Sequence, residues 1–318
     1  MTNQATLMLP RVEMGAKSAN APLTLSYDKG PETPLIDMTI GDFFDHIAEQ
    51  NPDKYALISR HQNTRLTYRE LQRKVNQLAS SMIRMGLQKG DRVGIWSHNN
   101  VEWVLMQLAT AKAGIVLVNI NPAYRIFELE YAINKVDCQV LVMMPHFKTS
   151  DYAMMLQELA PEARHQDFHN LELIQLPNLK RIVWIDKPDS DKSFGFMQKF
   201  SEWIAEGDAD DPQVAERAKK LNPNNPINIQ FTSGTTGTPK GATLTHRNIL
   251  NNGYFIGEAM GLSAEDSLCI PVPLYHCFGM VLGNLAILTH GGTIVYPNDG
   301  FEPLSVLEAV QAEKCTGL

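Results

Sequence analysis

The strongest limit on the fold is a repeated switch of apolar period between residues 92 and 142. Arg92-Val93-Gly94-Ile95-Trp96 reads as a strand. Asn99 to Glu102 opens a helix through Trp103, Leu105, Met106 and Leu108, which Gly114 ends. Ile115-Val116-Leu117-Val118 is a near-continuous apolar run, the pattern of a strand buried on both faces. A helix through Leu129, Ala132 and Ile133 then leads to a strand at Val140-Leu141-Val142. Repeats of strand, helix and strand predict an α/β fold with a parallel sheet and right-handed crossovers.

The flanking regions extend this reading. Residues 1 to about 35 carry little periodicity and end in DKGPETP, as a tail or extended arm would. A short helix is expected from Thr39, with Asp42 three residues on, to Asn51-Pro52. Thr67-Tyr68-Arg69-Glu70 is a second capping box, followed by Leu71, Val75, Leu78, Ala79 and Met82 at helical spacing and by Gly86 as C-cap. Residues 145–226 read as a less regular insertion with one strand from Arg181 to Ile185, a solvated acidic turn around Asp208 and a linker at 221–226. Ile227, Ile229 and Phe231 then alternate as a strand. Beyond it come a helix from about Asn248, a strand at Leu268-Cys269-Ile270, a helix from Gly279 to Leu288 and a strand from Thr293 to Tyr296. Pro303 starts a helix with Leu304, Leu307 and Val310 on one face. A further strand is expected from Cys315-Thr316-Gly317-Leu318, which predicts an incomplete domain.

Composition narrows the function classes. The 318 residues are 44% apolar, enough for two compact units or one large α/β unit. Lys and Arg total 28 against 35 Asp and Glu, a net charge of −7, which argues against nucleic acid as the main partner. Cys138, Cys269, Cys277 and Cys315 lie far apart with no CxxC pair, so no disulfide framework is legible and a reducing compartment is expected. No run of ~18 apolar residues predicts a membrane-spanning helix. The start MTNQATLMLPRVE is no secretory signal. A cytoplasmic location is expected, with Arg11 and Lys17 leaving organelle targeting open.

One loop carries chemistry. Thr232-Ser233-Gly234-Thr235-Thr236-Gly237-Thr238-Pro239-Lys240-Gly241 packs five hydroxyls, three glycines and one lysine into ten residues, directly after a strand. Glycines let the backbone approach a ligand, hydroxyls add neutral donors, and Lys240 adds a charged bond to a phosphate. The expected target is the β- and γ-phosphates of a nucleotide. The pattern is not GxxxxGK[ST], because Pro239 and Gly241 replace the second glycine and the Ser/Thr that would hold magnesium. A Ser/Thr/Gly-rich surface turn is the plainer alternative.

FTSGTTGTPKG resembles the signature phosphate loop of the AMP-forming adenylating enzymes, which include acyl-CoA synthetases, luciferases and peptide-synthetase adenylation domains. Three stretches agree in order: Leu66-Thr67-Tyr68-Arg69-Glu70-Leu71; Ala111-Lys112-Ala113-Gly114 with Asn119-Ile120-Asn121-Pro122; and Pro273-Leu274-Tyr275-His276-Cys277-Phe278-Gly279. Within the family, NPAYRIFELEYAINKVDCQVLV and INIQFTSGTTGTPKGATLTHRNI are most similar to fatty-acid ligases of the acyl-CoA synthetase family member 2 type. The resemblance implies parallel sheets flanked by helices, as in the N-terminal domain of adenylate-forming enzymes. It also implies a chain that stops before the second sheet, barrel and C-terminal domain are complete. The divisions it implies are a tail (1–35), a leading segment packing with the second sheet (36–65), a first α/β subdomain with the ATP phosphate loop (66–258) and the beginning of a second (259–318).

It further implies an ATP-dependent fatty-acid–CoA ligase, for medium-chain acids, with the carboxylic acid, ATP and coenzyme A as small-molecule partners and Mg2+ as cofactor. Thr232, Ser233, Gly234, Thr235, Thr236, Gly237, Thr238, Pro239 and Lys240 would hold the leaving pyrophosphate. His276 would stand at the junction of nucleotide and acyl pocket as the catalytic group, with Tyr275, Phe278 and Gly279 around the substrate. A buried, hydrogen-bonded histidine is the plainer reading of His276. The magnesium ligand, the ribose aspartate and the mobile C-terminal lysine are expected beyond Leu318, so no metal ligand is assigned here. Two alternatives remain: a catalytically incomplete fragment that at most binds nucleotide, or an enzyme passing its acyl group to a carrier protein. His165 and His169 have no zinc context and are read as solvated.

Overall fold

The computed structural model describes residues 32–147, 149–187, 193–232 and 238–318, so the expected tail lies outside the description up to residue 31. Helix α1 (Ile40–Gln50) starts at Thr39, whose Oγ1 accepts the Asp42 N–H at 3.1 Å. Strands β1 (Tyr55–Ser59) and β2 (Thr64–Thr67) pair antiparallel. Thr67 and Glu70 close the capping box of α2 (Tyr68–Arg84). That helix is capped by Met85, with Gly86 one residue further at φ 97°.

The alternating region forms as read: β3 (Arg92–Trp96), α3 (Val101–Ala113), β4 (Val116–Ile120), α4 (Ile126–Lys135) and β5 (Val140–Met143). Asn100 caps α3 by accepting the Trp103 N–H at 2.8 Å. Gly114 ends it at φ 69°, where a Cβ would also strike Leu221.

Residues 145–226 are more regular than expected. They hold a small hairpin of β6 (His146–Phe147) and β7 (Ser150–Asp151), then α5 (Tyr152–Leu159), β8 (Arg181–Trp184), β9 (Gln198–Lys199), α6 (Phe200–Ala205) and α7 (Pro212–Ala218). These helices span barely two turns, too few for an apolar period to register in sequence, and tertiary packing stabilises them. The acidic stretch is solvated at Asp208 and Asp210 but not at Asp211. The Asp211 carboxylate caps α7 and accepts Ser80 Oγ at 2.7 Å and Arg84 Nε at 3.0 Å, tying α7 to α2.

The remaining elements are β10 (Pro226–Thr232), β11 (Lys240–Thr245), α8 (His246–Met260), β12 (Ser267–Cys269), a π-helical segment (Phe278–Leu285) running into α9 (Ala286–Leu288), β13 (Thr293–Tyr296) and α10 (Pro303–Glu313). The helix expected from about Gly279 to Leu288 forms, its first part π-helical. Within it the Met280 carbonyl accepts Gln107 Nε2 at 3.2 Å. Helix α10 starts at Pro303, as read. Leu304 and Leu307 face outward, while Val306 and Ala309 are buried with Ile58, Cys269 and Val295, and of the three residues expected on one face only Val310 packs against this cluster.

Two sheets result. The larger has the order β11-β10-β4-β3-β5-β8-β9 and is parallel except at β11; the smaller runs β12-β13-β1-β2 and is parallel except at β2. Leu57 pairs with Ile294, so the smaller sheet joins strands from both ends of the described chain. The main core lies between the sheets and contains α1, α2, α3, α8 and the π segment; a second core, with α4 and α5, covers the other face of the larger sheet.

Candidate active site

Strands β10 and β11 flank the hydroxyl- and glycine-rich stretch in sequence, and Thr232 ends β10 at the carboxyl end of a strand parallel to β4, where open α/β sheets bind ligands. Thr232 and Lys240 face each other across the ladder, with Thr232 Oγ1 donating to the Lys240 carbonyl at 3.4 Å. Both residues are exposed, as is Thr238. Ser233, Gly234, Thr235, Thr236 and Gly237 lie outside the described residues. Pro239 is half-buried, and its carbonyl accepts the Tyr131 hydroxyl of α4 at 3.2 Å. At the base of the hairpin, buried His246 accepts the Ile40 N–H on Nδ1 at 3.1 Å. Burial lowers this imidazole to about 4, with Lys89 adding to the effect.

The second expected segment follows β12 and is gripped by buried amides of the larger sheet. Asn99 clasps the backbone on both sides of Pro273: its Oδ1 accepts the Leu274 N–H at 2.9 Å and its Nδ2 donates to the Val272 carbonyl at 2.9 Å. Asn119, at the carboxyl end of β4, donates to the Tyr275 carbonyl at 3.0 Å. Its Oδ1 accepts Asn228 Nδ2 of β10 at 2.9 Å. Thus a two-residue relay, Asn228 to Asn119 to Tyr275, connects the strand that carries the hydroxyl loop to the segment that carries His276. Gln230 is the register partner of Asn119 on that face, and its Nε2, like Asn228 Oδ1, is buried with no protein partner. Such atoms fit a polar ligand reaching this end of the sheet.

His276 is exposed, which removes the reading of a buried structural histidine. Its Nδ1 accepts the Phe278 N–H at 3.1 Å and faces the Cys277 thiol at 3.6 Å. With Nδ1 occupied as an acceptor, the neutral ring carries its proton on Nε2 and presents a donor away from the loop. Tyr275 packs partly against the main core, while Phe278 is 53% exposed at the start of the π segment. Gly279 is buried, and a Cβ there would stand 2.5 Å from the Pro273 carbonyl oxygen, so the turn closes only around glycine.

Asn99, Asn119, Asn228 and Gln107 were missed by sequence reasoning. Their signal was present: asparagine inside the runs Val116-Leu117-Val118-Asn119-Ile120 and Ile227-Asn228-Ile229 is out of place in strands buried on both faces. Lys112, within the matched KAG stretch, is structural: it is buried, bonds Asn76 and pairs with Asp45 at 2.6 Å, joining α3 to α1 and α2. His165 and His169 are exposed. Among the described residues no group of three or more His, Cys, Asp or Glu is arranged to hold a metal. None of the described helices is long and apolar enough to cross a membrane.

The profile of the AMP-binding enzyme family matches residues 44–318. A protein named medium-chain acyl-CoA ligase ACSF2, mitochondrial, from Danio rerio is 40% identical over 299 residues, 92% of this chain and 48% of its own length. Its Bos taurus counterpart is 41% identical over 286 residues, 88% of this chain and 46% of its own. Among solved structures, a long-chain-fatty-acid-CoA ligase from Archaeoglobus fulgidus superposes with a TM-score of 0.72 at 25% identity, over 92% of this chain and 53% of that one. The chain spans about half the length of the curated relatives it matches. With the family profile covering all but the first 43 residues, the chain belongs to the AMP-binding enzymes.

Proposed function

We propose that this chain supplies the pyrophosphate-holding and acyl-facing part of an ATP-dependent fatty-acid–CoA ligase acting on medium-chain acids. A carboxylate is a poor acyl donor, since its charge repels nucleophiles and oxide is a very poor leaving group. Attack of the carboxylate oxygen on the α-phosphorus of ATP breaks the bond to pyrophosphate and forms an acyl-adenylate. The sulfur of coenzyme A then attacks the acyl carbon and AMP leaves. The first step depends on positioning and on neutralising phosphate charge.

In this reading Lys240 and the hydroxyls of Thr232 to Thr238 donate to the departing pyrophosphate. His276 donates from Nε2–H to an oxygen at the junction of acid and nucleotide. Tyr275 and Phe278 form the apolar wall, and Gly279 lets the turn close beneath them. Mg2+, when bound, adds positive charge to the phosphates; no residue of this chain is assigned to hold it. The observation that carries the proposal is the Asn228–Asn119–Tyr275 relay, which holds the two segments on one end of the sheet. The proposed compartment is the cytoplasm; imaging of a tagged chain distinguishes it from the mitochondrial location in the relatives' names.

The test is twofold. ATP is titrated against the chain and its Lys240→Ala variant, and carboxylate-dependent exchange of pyrophosphate into ATP is measured over short, medium and long acids in the complete protein. Weaker ATP binding in the variant and an exchange optimum at medium length support the proposal. Equal ATP affinity in both would remove the hairpin from the nucleotide site.

A further inference from the structure

Cysteine usage along the chain gives no pairing, yet the fold brings two of the four cysteines together. Cys269 is the last residue of β12 and is fully buried. Cys315 follows α10, is partly exposed, and packs on the small cluster of Ile58, Cys269, Val295, Val306 and Ala309. The chain after α10 runs beside β12: Thr316 N–H donates to the Ser267 carbonyl at 2.9 Å and Cys269 N–H donates to the Gly317 carbonyl at 2.9 Å. The Cys315 thiol donates to the Ala309 carbonyl at 3.8 Å.

We propose that Cys269 and Cys315 form an oxidisable pair, converted by hydrogen peroxide into a disulfide that joins the end of α10 to β12. The step balances as two thiols and one peroxide giving one disulfide and two waters. The Cys315 thiolate attacks a peroxide oxygen, the O–O bond breaks, and the released hydroxide takes up the thiol proton as water. The Cys269 sulfur then attacks the sulfur of the Cys315 sulfenic acid. The S–S bond forms, the S–O bond breaks, and the leaving oxygen departs as water with the Cys269 proton. The sulfurs lose two electrons in total, and peroxide gains them.

The local chemistry assigns the order of attack. The neighbouring Cys269 thiol lowers the Cys315 thiol, and Arg60 adds to this while burial and Glu313 oppose it. The proximity of Cys315 and burial raise Cys269. Cys315 is therefore the partly open attacking thiol and Cys269 the resolving one. Segment 315–317 is held beside β12 by the Leu268–Gly317 bridge and by hydrogen bonds between Thr316 and Ser267, which keep the two cysteines on neighbouring stretches of backbone. The remaining thiols differ. Cys138 is buried, with its thiol pushed up to about 12, and Cys277 is exposed beside His276 with no cysteine partner among the described residues. The crosslink would bear on the strand that leads into the His276 segment, and it is independent of the acyl-activation reading.

The experiment oxidises the reduced full chain with hydrogen peroxide and maps peptides without reduction. Expected is a Cys269–Cys315 linked peptide in monomeric protein, with a mass lower by two hydrogens. It should be reversed by dithiothreitol, kept in Cys277→Ser, and absent in Cys315→Ser and in urea-unfolded chain. Cys315→Ser carries the test if Cys269→Ser does not fold, since Cys315 is the more exposed position. A product dominated by Cys277-linked dimers, or by Cys315 oxidised to sulfinic acid with no link, would overturn the proposal.

Discussion

The two halves of the candidate site are held in opposite ways. Strand β11 is exposed or half-exposed along its whole length, and Thr232, Thr238 and Lys240 stand in solvent at the hairpin tip. The segment from Val272 to Met280 is instead clasped through its backbone by buried Asn99, Asn119 and Gln107. An exposed ladder leaves its side chains free to serve a ligand. A segment gripped by desolvated amides has its shape set by the core. The first half should therefore tolerate substitution without loss of fold, and the second should not.

The largest expected loss of stability on substitution tests that contrast directly. Asn119→Ala removes the donor to the Tyr275 carbonyl and leaves Asn228 Nδ2 with only the Leu117 carbonyl, so unfolding free energy should fall by about 2 kcal/mol in urea titrations. Lys240→Ala should stay within about 0.5 kcal/mol of the parent. Similar losses for the two would erase the distinction.

Acid probes the base of the hairpin. His246 is neutral in the fold because it is buried and its Nδ1 serves the Ile40 N–H. Its folded value of about 4 lies below the ordinary 6.5, so the unfolded chain takes up a proton that the folded chain refuses. This contribution to stability is full above pH 6.5 and is lost as pH falls through about 4, an amount on the order of 3 kcal/mol. His246→Gln should flatten this part of the stability profile measured by urea midpoints. An unchanged acid slope would show that the hairpin base is not the group being titrated.

Function separates the halves next. Lys240→Ala should weaken ATP binding by tens of fold, about 2 kcal/mol for a lost charged contact, with the melting temperature unmoved. Calorimetric titration checks both.

The smallest effect is a control remote from either half. Asp211 is held below the usual carboxylate range by Ser80, then by the Gln213 N–H and Arg84. Its contribution is present above the unfolded pKa and is lost as pH falls through the depressed folded value. Asp211→Ala should cost about 1 kcal/mol of stability and lessen the acid-limb slope below pH ~4, leaving ATP affinity unchanged. A change in ATP affinity would mean that the α2–α7 contact communicates with the site.

Local signals in the sequence determined a good deal. Period changes placed β3 to β5 and the helices between them, because apolar runs and capping residues report on neighbours a few positions apart. Thr39, Thr67 and Gly114 act as caps for the same reason. The hydroxyl loop and the Pro273–Gly279 stretch were visible as motifs, since their chemistry is compressed into a few consecutive residues.

Only the tertiary structure decided what joins residues far apart. Sequence alone could not pair β1 with β13, turn α10 onto Val306 and Ala309, or bring Cys269 to Cys315. Nor could it link Asn228 through Asn119 to Tyr275, the contact that joins the strand before the hydroxyl stretch to the segment bearing His276. The physical reason is that hydrogen bonds and burial act across space. A buried amide is stable only where the fold supplies its partner, and that partner can be far away in sequence, as Tyr275 is 156 positions from Asn119.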